Sequence, residues 1–178
     1  MLKKILTGLG VLIVVSLIVI QFIRPEKNNS DNRTNDITTA YTIPAEVDQL
    51  LKVSCFDCHS NTTRYPWYAK VQPVGWWLNN HITEGKRHLN FSDFTGSPLF
   101  VQNHRFDEII ETVEEKEMPI PSYTFLGMHS DADLSDAQRK MIIDWAKAQM
   151  TYLQNNYPAD SLAFPRREGD RPPNNNPQ

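Results

Sequence analysis

Hydrophobic positions along this chain first form one unbroken block and then recur with a helical period. From Ile5 to Ile23 the residues are nearly all Leu, Ile, Val and Gly, interrupted by Thr7, Ser16 and Gln21 and free of charge until Arg24. A helix over this block rises roughly 28 Å at about 1.5 Å per residue, close to the roughly 30 Å hydrocarbon thickness of a bilayer. No small-x-small cleavage site closes it, because Gln21, Phe22, Ile23 and Arg24 stand there. Residues 1–23 are therefore expected to be an uncleaved signal-anchor and transmembrane helix, with residues 5–23 in the bilayer, and a removed signal peptide is the rival reading. Residues 24–40 are rich in Asn, Asp, Ser, Thr and charge without apolar periodicity, which predicts a flexible linker. The Pro- and Asn-rich stretch 166–178 reads as a disordered tail.

Between them, residues 41–165 form one expected folded domain, all-α because no segment alternates convincingly with period two. A first helix is placed from Pro44, with Val47, Leu50 and Leu51 on its apolar face, running into Cys55. A second is placed from Pro73, with Trp77 and His81 one turn apart and Gly85 as its stop. A third covers roughly His104 to Lys116, where Phe106, Ile109, Ile110 and Val113 give the clearest amphipathic pattern. A fourth starts at Ser135, which with Gln138 makes a capping box, and presents Met141, Trp145, Ala148 and Tyr152 on one face.

Composition sharpens this picture in two places. The formal charge is −3, and more negative once Lys3 and Lys4, which precede the apolar block, are set aside. That balance argues against nucleic acid as a partner. The chain has two cysteines, with two residues between them, so no long-range disulfide staples it and the pair reads as chemistry.

Cys55-Phe56-Asp57-Cys58-His59 is the C-x-x-C-H pattern of covalent haem attachment. Two thiols one helical turn apart can add across the two vinyl groups on one porphyrin edge, and His59 follows at once to ligate the iron from the proximal side. Its second ring nitrogen then needs a carbonyl partner, for which Pro66 or Pro73 is the expected source. A zinc site would have to recruit His81, His88, His104 or His129 without a second cysteine pair. A thioredoxin-like dithiol would want a βαβ setting. Export through the N-terminal block agrees with haem, since covalent attachment takes place outside the bacterial cytoplasm. The expected cofactor is thus one covalent haem c, on the periplasmic side of the cytoplasmic membrane, with Lys3 and Lys4 inside.

Met118 leads for the distal iron position, because it follows the third helix in Glu117-Met118-Pro119-Ile120-Pro121 and the proline holds it out of helical geometry. Core filling explains Met141 and Met150 better, and Met128 is a minor rival. His81 is the principal alternative distal ligand, followed by His88, His104 and His129, and an open site is the remaining case. Arg64, Lys86 or Arg87 could pair with haem propionates. Trp67, Tyr68, Trp76 and Trp77 could wall the haem or serve as ordinary core.

The chain from Cys55 through Arg64-Tyr65-Pro66-Trp67-Tyr68, Pro73-Val74-Gly75-Trp76-Trp77, His81, Glu84-Gly85 and Leu89-Asn90-Phe91-Ser92 resembles the bacterial haem-binding domain family of cytochrome c-like proteins. Met118-Pro119-Ile120-Pro121-Ser122-Tyr123, Leu134-Ser135-Asp136 and Asp144-Trp145 extend the resemblance, which covers most of residues 45–150. It implies a cytochrome c-like mono-haem helical domain, often tethered to a membrane, with no defined redox partner. The expected function is one-electron transfer to a membrane-associated partner protein, by a carrier rather than an enzyme. The alternatives are a haem-based small-ligand sensor with a labile sixth ligand and, less favoured, a peroxidase-like enzyme using His81 or Glu84.

Overall fold

The structure, a computed structural model, describes residues 1–125 and 129–165. Met128 and the expected tail at 166–178 lie outside the described residues. Among those described there are seven α-helices and no strand: α1 (Leu2–Ile20), α2 (Ala45–Ser54), α3 (Phe56–His59), α4 (Val74–His88), α5 (Leu99–Glu114), α6 (Pro121–Thr124) and α7 (Asp136–Asn156). The all-helical expectation therefore holds.

The long helices α5 and α7 pack on each other and α2 on α7, around Leu51, Phe91, Phe94, Phe106, Ile142, Trp145 and Leu153. α5 is longer than its periodicity implied, starting at Leu99 with Pro98 as its cap. Leu99 stands seven residues before Phe106 and packs on the same core, but the buried position between them is Gln102, whose polarity hides the continuation of the stripe. The capping box of α7 is present, with Gln138 N–H donating to Ser135 Oγ at 3.3 Å and Ser135 N–H donating to Gln138 Oε1 at 2.8 Å. Its buried face differs from the expected one. Ile142, Trp145, Ala146 and Leu153 point inward, whereas Ala148 and Tyr152 are exposed. The spacing 142, 145, 146, 153 places Ile142, Trp145 and Leu153 inside, where they remove more apolar area from water than Ala148 would.

α4 carries Leu78 and Ile82 into a smaller cluster with Tyr68. Gly85 does not end this helix. A Cβ there would stand 2.9 Å from the Cys58 carbonyl oxygen and 3.3 Å from Cys58 Cβ, so glycine is what lets α4 lie against α3.

Residues 24–40 depart from the linker expectation. Asn28 Nδ2 donates to Ser60 O (2.8 Å) and Thr63 Oγ1 (2.9 Å), and its own N–H donates to Tyr65 Oη. Ser30 N–H donates to Asn61 O at 2.8 Å, and Ile37, fully buried, donates its N–H to Phe91 O at 2.8 Å. The segment is threaded along the helical domain. Side-chain and backbone hydrogen bonds to that surface supply the order that apolar periodicity does not, as buried polar groups require. α1 is long and apolar enough to cross a membrane, and a signal sequence would satisfy the same criteria.

Candidate functional site

α2 ends directly at Cys55, whose N–H donates to Leu51 O and which caps both α2 and the start of α3. Cys58 and His59 N–H groups both donate to Cys55 O, at 3.1 and 2.9 Å, so one tight turn carries both thiols and the imidazole. This turn is held from several sides. The buried Asp57 carboxylate accepts from Arg64 N–H (2.8 Å), Arg64 Nη2 (3.0 Å) and Tyr123 Oη (2.9 Å). Asp57 O accepts from Thr63 Oγ1 at 2.6 Å, and His59 O from Phe91 N–H at 2.8 Å. Tyr123 is stacked on His129 at 4.0 Å, and His129 Nε2 shares a 2.7 Å hydrogen bond with Tyr68 Oη. Burial and the Asp57 carboxylate push the Tyr123 phenol well above its usual range, so it stays a proton donor to Asp57.

His59 Nδ1 lies 3.0 Å from Leu89 O. That carbonyl, at the end of α4, takes the role expected of Pro66 or Pro73. A neutral imidazole donating from Nδ1 presents Nε2 as a lone-pair ligand. Burial keeps His59 in this form by lowering its pKa, against the opposing pull of the Leu89 and Gly85 carbonyls. Burial likewise pushes the Cys55 thiol up to about 11 and the Cys58 thiol up to about 12. Such thiols are protonated at neutral pH, unlike the activated thiolates of dithiol oxidoreductases. Among the described residues no group of three or more His, Cys, Asp or Glu side chains could hold a metal ion.

Cys55, Cys58, His59, His81 and Met118 all line one largely apolar cavity of about 410 Å³, between the α2–α4 side of the molecule and α5 with the segment after it. This lies within the range of small-ligand and cofactor pockets. Phe91 and Tyr123 are its aromatic walls. Of the competing histidines, His81 and His88 border the cavity, whereas His104 faces Glu108 and Phe164 and His129 is engaged with Tyr68 and Tyr123. Neither Met141 nor Met150 lines it. Trp67, Tyr68, Trp76 and Trp77 do not wall it, and Trp67 and Trp77 are exposed. The cations expected near a propionate are committed elsewhere: Arg64 to Asp57, Lys86 to Asn28 and Arg87 to Glu84.

Arg105 was not anticipated. Among the described residues, the buried side-chain polar atoms without a partner belong to Gln72, Asn103 and Arg105, and of these three residues Arg105 lines the cavity. Its Nη1 donates to Ser97 Oγ at 2.9 Å and its guanidinium lies 5.7 Å from the Phe94 ring centroid, leaving Nε orphaned. Burial lowers its pKa, which Asp93 and Glu108 oppose. A half-buried guanidinium with one unsatisfied N–H beside an apolar cavity suits an anion, and a haem propionate would supply one. A sequence signal existed: Arg105 sits four residues before Ile109 on the inward face of an amphipathic helix, where a charge has to be explained.

An apolar cavity in a helical domain, with paired thiols, an oriented imidazole and an unpaired guanidinium on its walls, is the architecture of a helical cofactor-binding protein. The chain belongs to the haem-binding domain family, which matches residues 15–148. No curated protein and no solved structure matches it.

Proposed function

We propose that this protein is a membrane-anchored c-type cytochrome that carries one haem, attached through Cys55 and Cys58, and transfers single electrons on the periplasmic side of the membrane to a membrane-associated protein. The observation that carries this reading is that Cys55, Cys58, His59 and Met118 border one cavity, with His59 Nδ1 tied to the Leu89 carbonyl. When bound, the haem supplies the one-electron couple. The protein's part is to hold the imidazole and thioether in place, exclude water with Phe91, Ile109 and Val113, and meet propionate charge with Arg105. Two side chains held in place as iron ligands, His59 and Met118, would suit a carrier, since neither would have to leave during electron transfer.

A second ligand pair is supported by His81. Its Nδ1 lies 2.9 Å from Trp77 O, which leaves Nε2 for the cavity that it borders. The full-length protein matured with haem separates these cases by its optical spectrum in both redox states, with and without carbon monoxide. Haem that stays on the chain after acid–organic extraction establishes covalent attachment. A low-spin parent that refuses carbon monoxide, a high-spin M118A that takes it up and an unchanged H81A are expected. The reverse pattern for the two variants assigns His81. A parent that binds carbon monoxide freely sinks the carrier reading in favour of a small-ligand sensor.

A further inference from the structure

Four exposed apolar side chains fall within residues 67–77, before α4 and on its first turn, outside the cavity and both core clusters: Trp67 (76% exposed), Val71 (46%), Val74 (40%) and Trp77 (39%). Exposed large apolar side chains gathered on one short stretch of the chain call for a binding face. The first turn after α1 identifies what covers it. Gln21 Nε2 donates to Gln72 O at 3.0 Å, Gln21 Oε1 accepts from Gln72 N–H at 2.9 Å, and Trp76 Nε1 donates to Ile23 O at 2.8 Å. The turn Val71–Val74 and the start of α4 are thereby clasped to residues 21–23, next to the exposed Phe22 and Ile23.

We propose that Trp67, Val71, Val74 and Trp77 form a face that docks onto the lipid bilayer beside the exit of α1 and fixes the haem domain at a set height. This rests on reading α1 as a membrane span. A 19-residue helix is roughly 28 Å long, so residues 21–23 stand at the boundary between hydrocarbon and headgroups. Whatever is hydrogen-bonded to them stands at the same depth. Tryptophan suits that depth, with an apolar ring body and one N–H to satisfy, and the exposed Arg24 and Lys70 beside the clasp suit anionic lipid phosphates.

The test uses the full-length, haem-loaded chain in nanodiscs of phosphatidylcholine and phosphatidylglycerol carrying a diazirine near the headgroup end of one acyl chain. Mass spectrometry then maps the residues labelled on illumination. Labels on Trp67, Val71, Val74 and Trp77 are expected beside those on Phe22 and Ile23. In a V71D/V74D double variant the domain labels should fall at least fivefold, while labelling within α1, the Soret spectrum and the far-UV circular dichroism stay unchanged. If that variant does not fold, Trp67→Ser, at the most exposed of the four, serves in its place. Labelled α1 with an unlabelled patch overturns docking and leaves the anchor standing. Copy-to-copy cross-links through the patch overturn it in favour of self-association. An unlabelled α1 removes the anchor reading and docking with it.

Discussion

Cys55, Cys58 and His59 share one tight turn, and the C-x-x-C-H spacing that brings them together is contained within five residues. Their supports are not legible in the same way. The Leu89 carbonyl that orients His59 is thirty residues away, and every peptide offers such a group, so only the fold selects it. Asp57 reads as a variable position inside the motif, yet it is the buried acceptor that ties the turn to Arg64 and Tyr123. Arg105 is the residue whose substitution tests the cavity wall most directly. Replacing it by leucine removes a positive charge near the iron and so favours the oxidised state. The midpoint potential of R105L should fall by roughly 30–60 mV, up to one factor of ten in a one-electron equilibrium. Potentiometric titration reads this, and an unchanged potential would mean that Arg105 does not meet a propionate.

At the scale of elements, helix identity was legible and helix detail was less so. Amphipathic period announced α2, α5 and α7, but Pro98, not the start of the apolar stripe, sets the beginning of α5, and close packing on Cys58 carries α4 past Gly85. The end of α5 shows how a stop signal sets the Met118 side chain at the cavity. Lys116 takes a left-handed conformation (φ 62°), with Lys116 N–H donating to Val113 O and Glu117 N–H to Thr112 O, the two bonds of a Schellman stop with lysine where glycine is usual. Met118 N–H also donates to Thr112 O at 3.0 Å, and Arg139 Nη1 from α7 donates to Val113 O (3.2 Å) and Met118 O (2.7 Å). Met118 therefore sits on a braced corner. The left-handed lysine costs about 1–2 kcal/mol, and glycine's extra unfolded-state entropy offsets part of its removal. K116G should accordingly gain about 0.5–1 kcal/mol and melt roughly 2 °C higher, with an unaltered spectrum. A loss of stability would show that the Lys116–Asp136 pair outweighs the backbone strain.

For the whole molecule, the segment 24–40 was the part least legible in sequence. Its polarity excludes a self-sufficient element, but the groups it offers find partners on a surface made by residues 60–65 and 91–95, which no local pattern reveals. The family match takes in this segment together with the helices. Hydrogen exchange should therefore find the amides of Ser30 and Ile37 protected at least a hundredfold over a free chain, and exchange at the free-chain rate would restore the flexible linker. The clasp between residues 21–23 and Gln72 and Trp76 then changes the geometry of any encounter. On the proposed function, a redox centre on a long leash would search a volume, whereas one seated on its own anchor would glide in a plane. Its collisions would depend on lateral crowding and lipid viscosity, and a partner whose own centre stands at another elevation would be passed by without exchange.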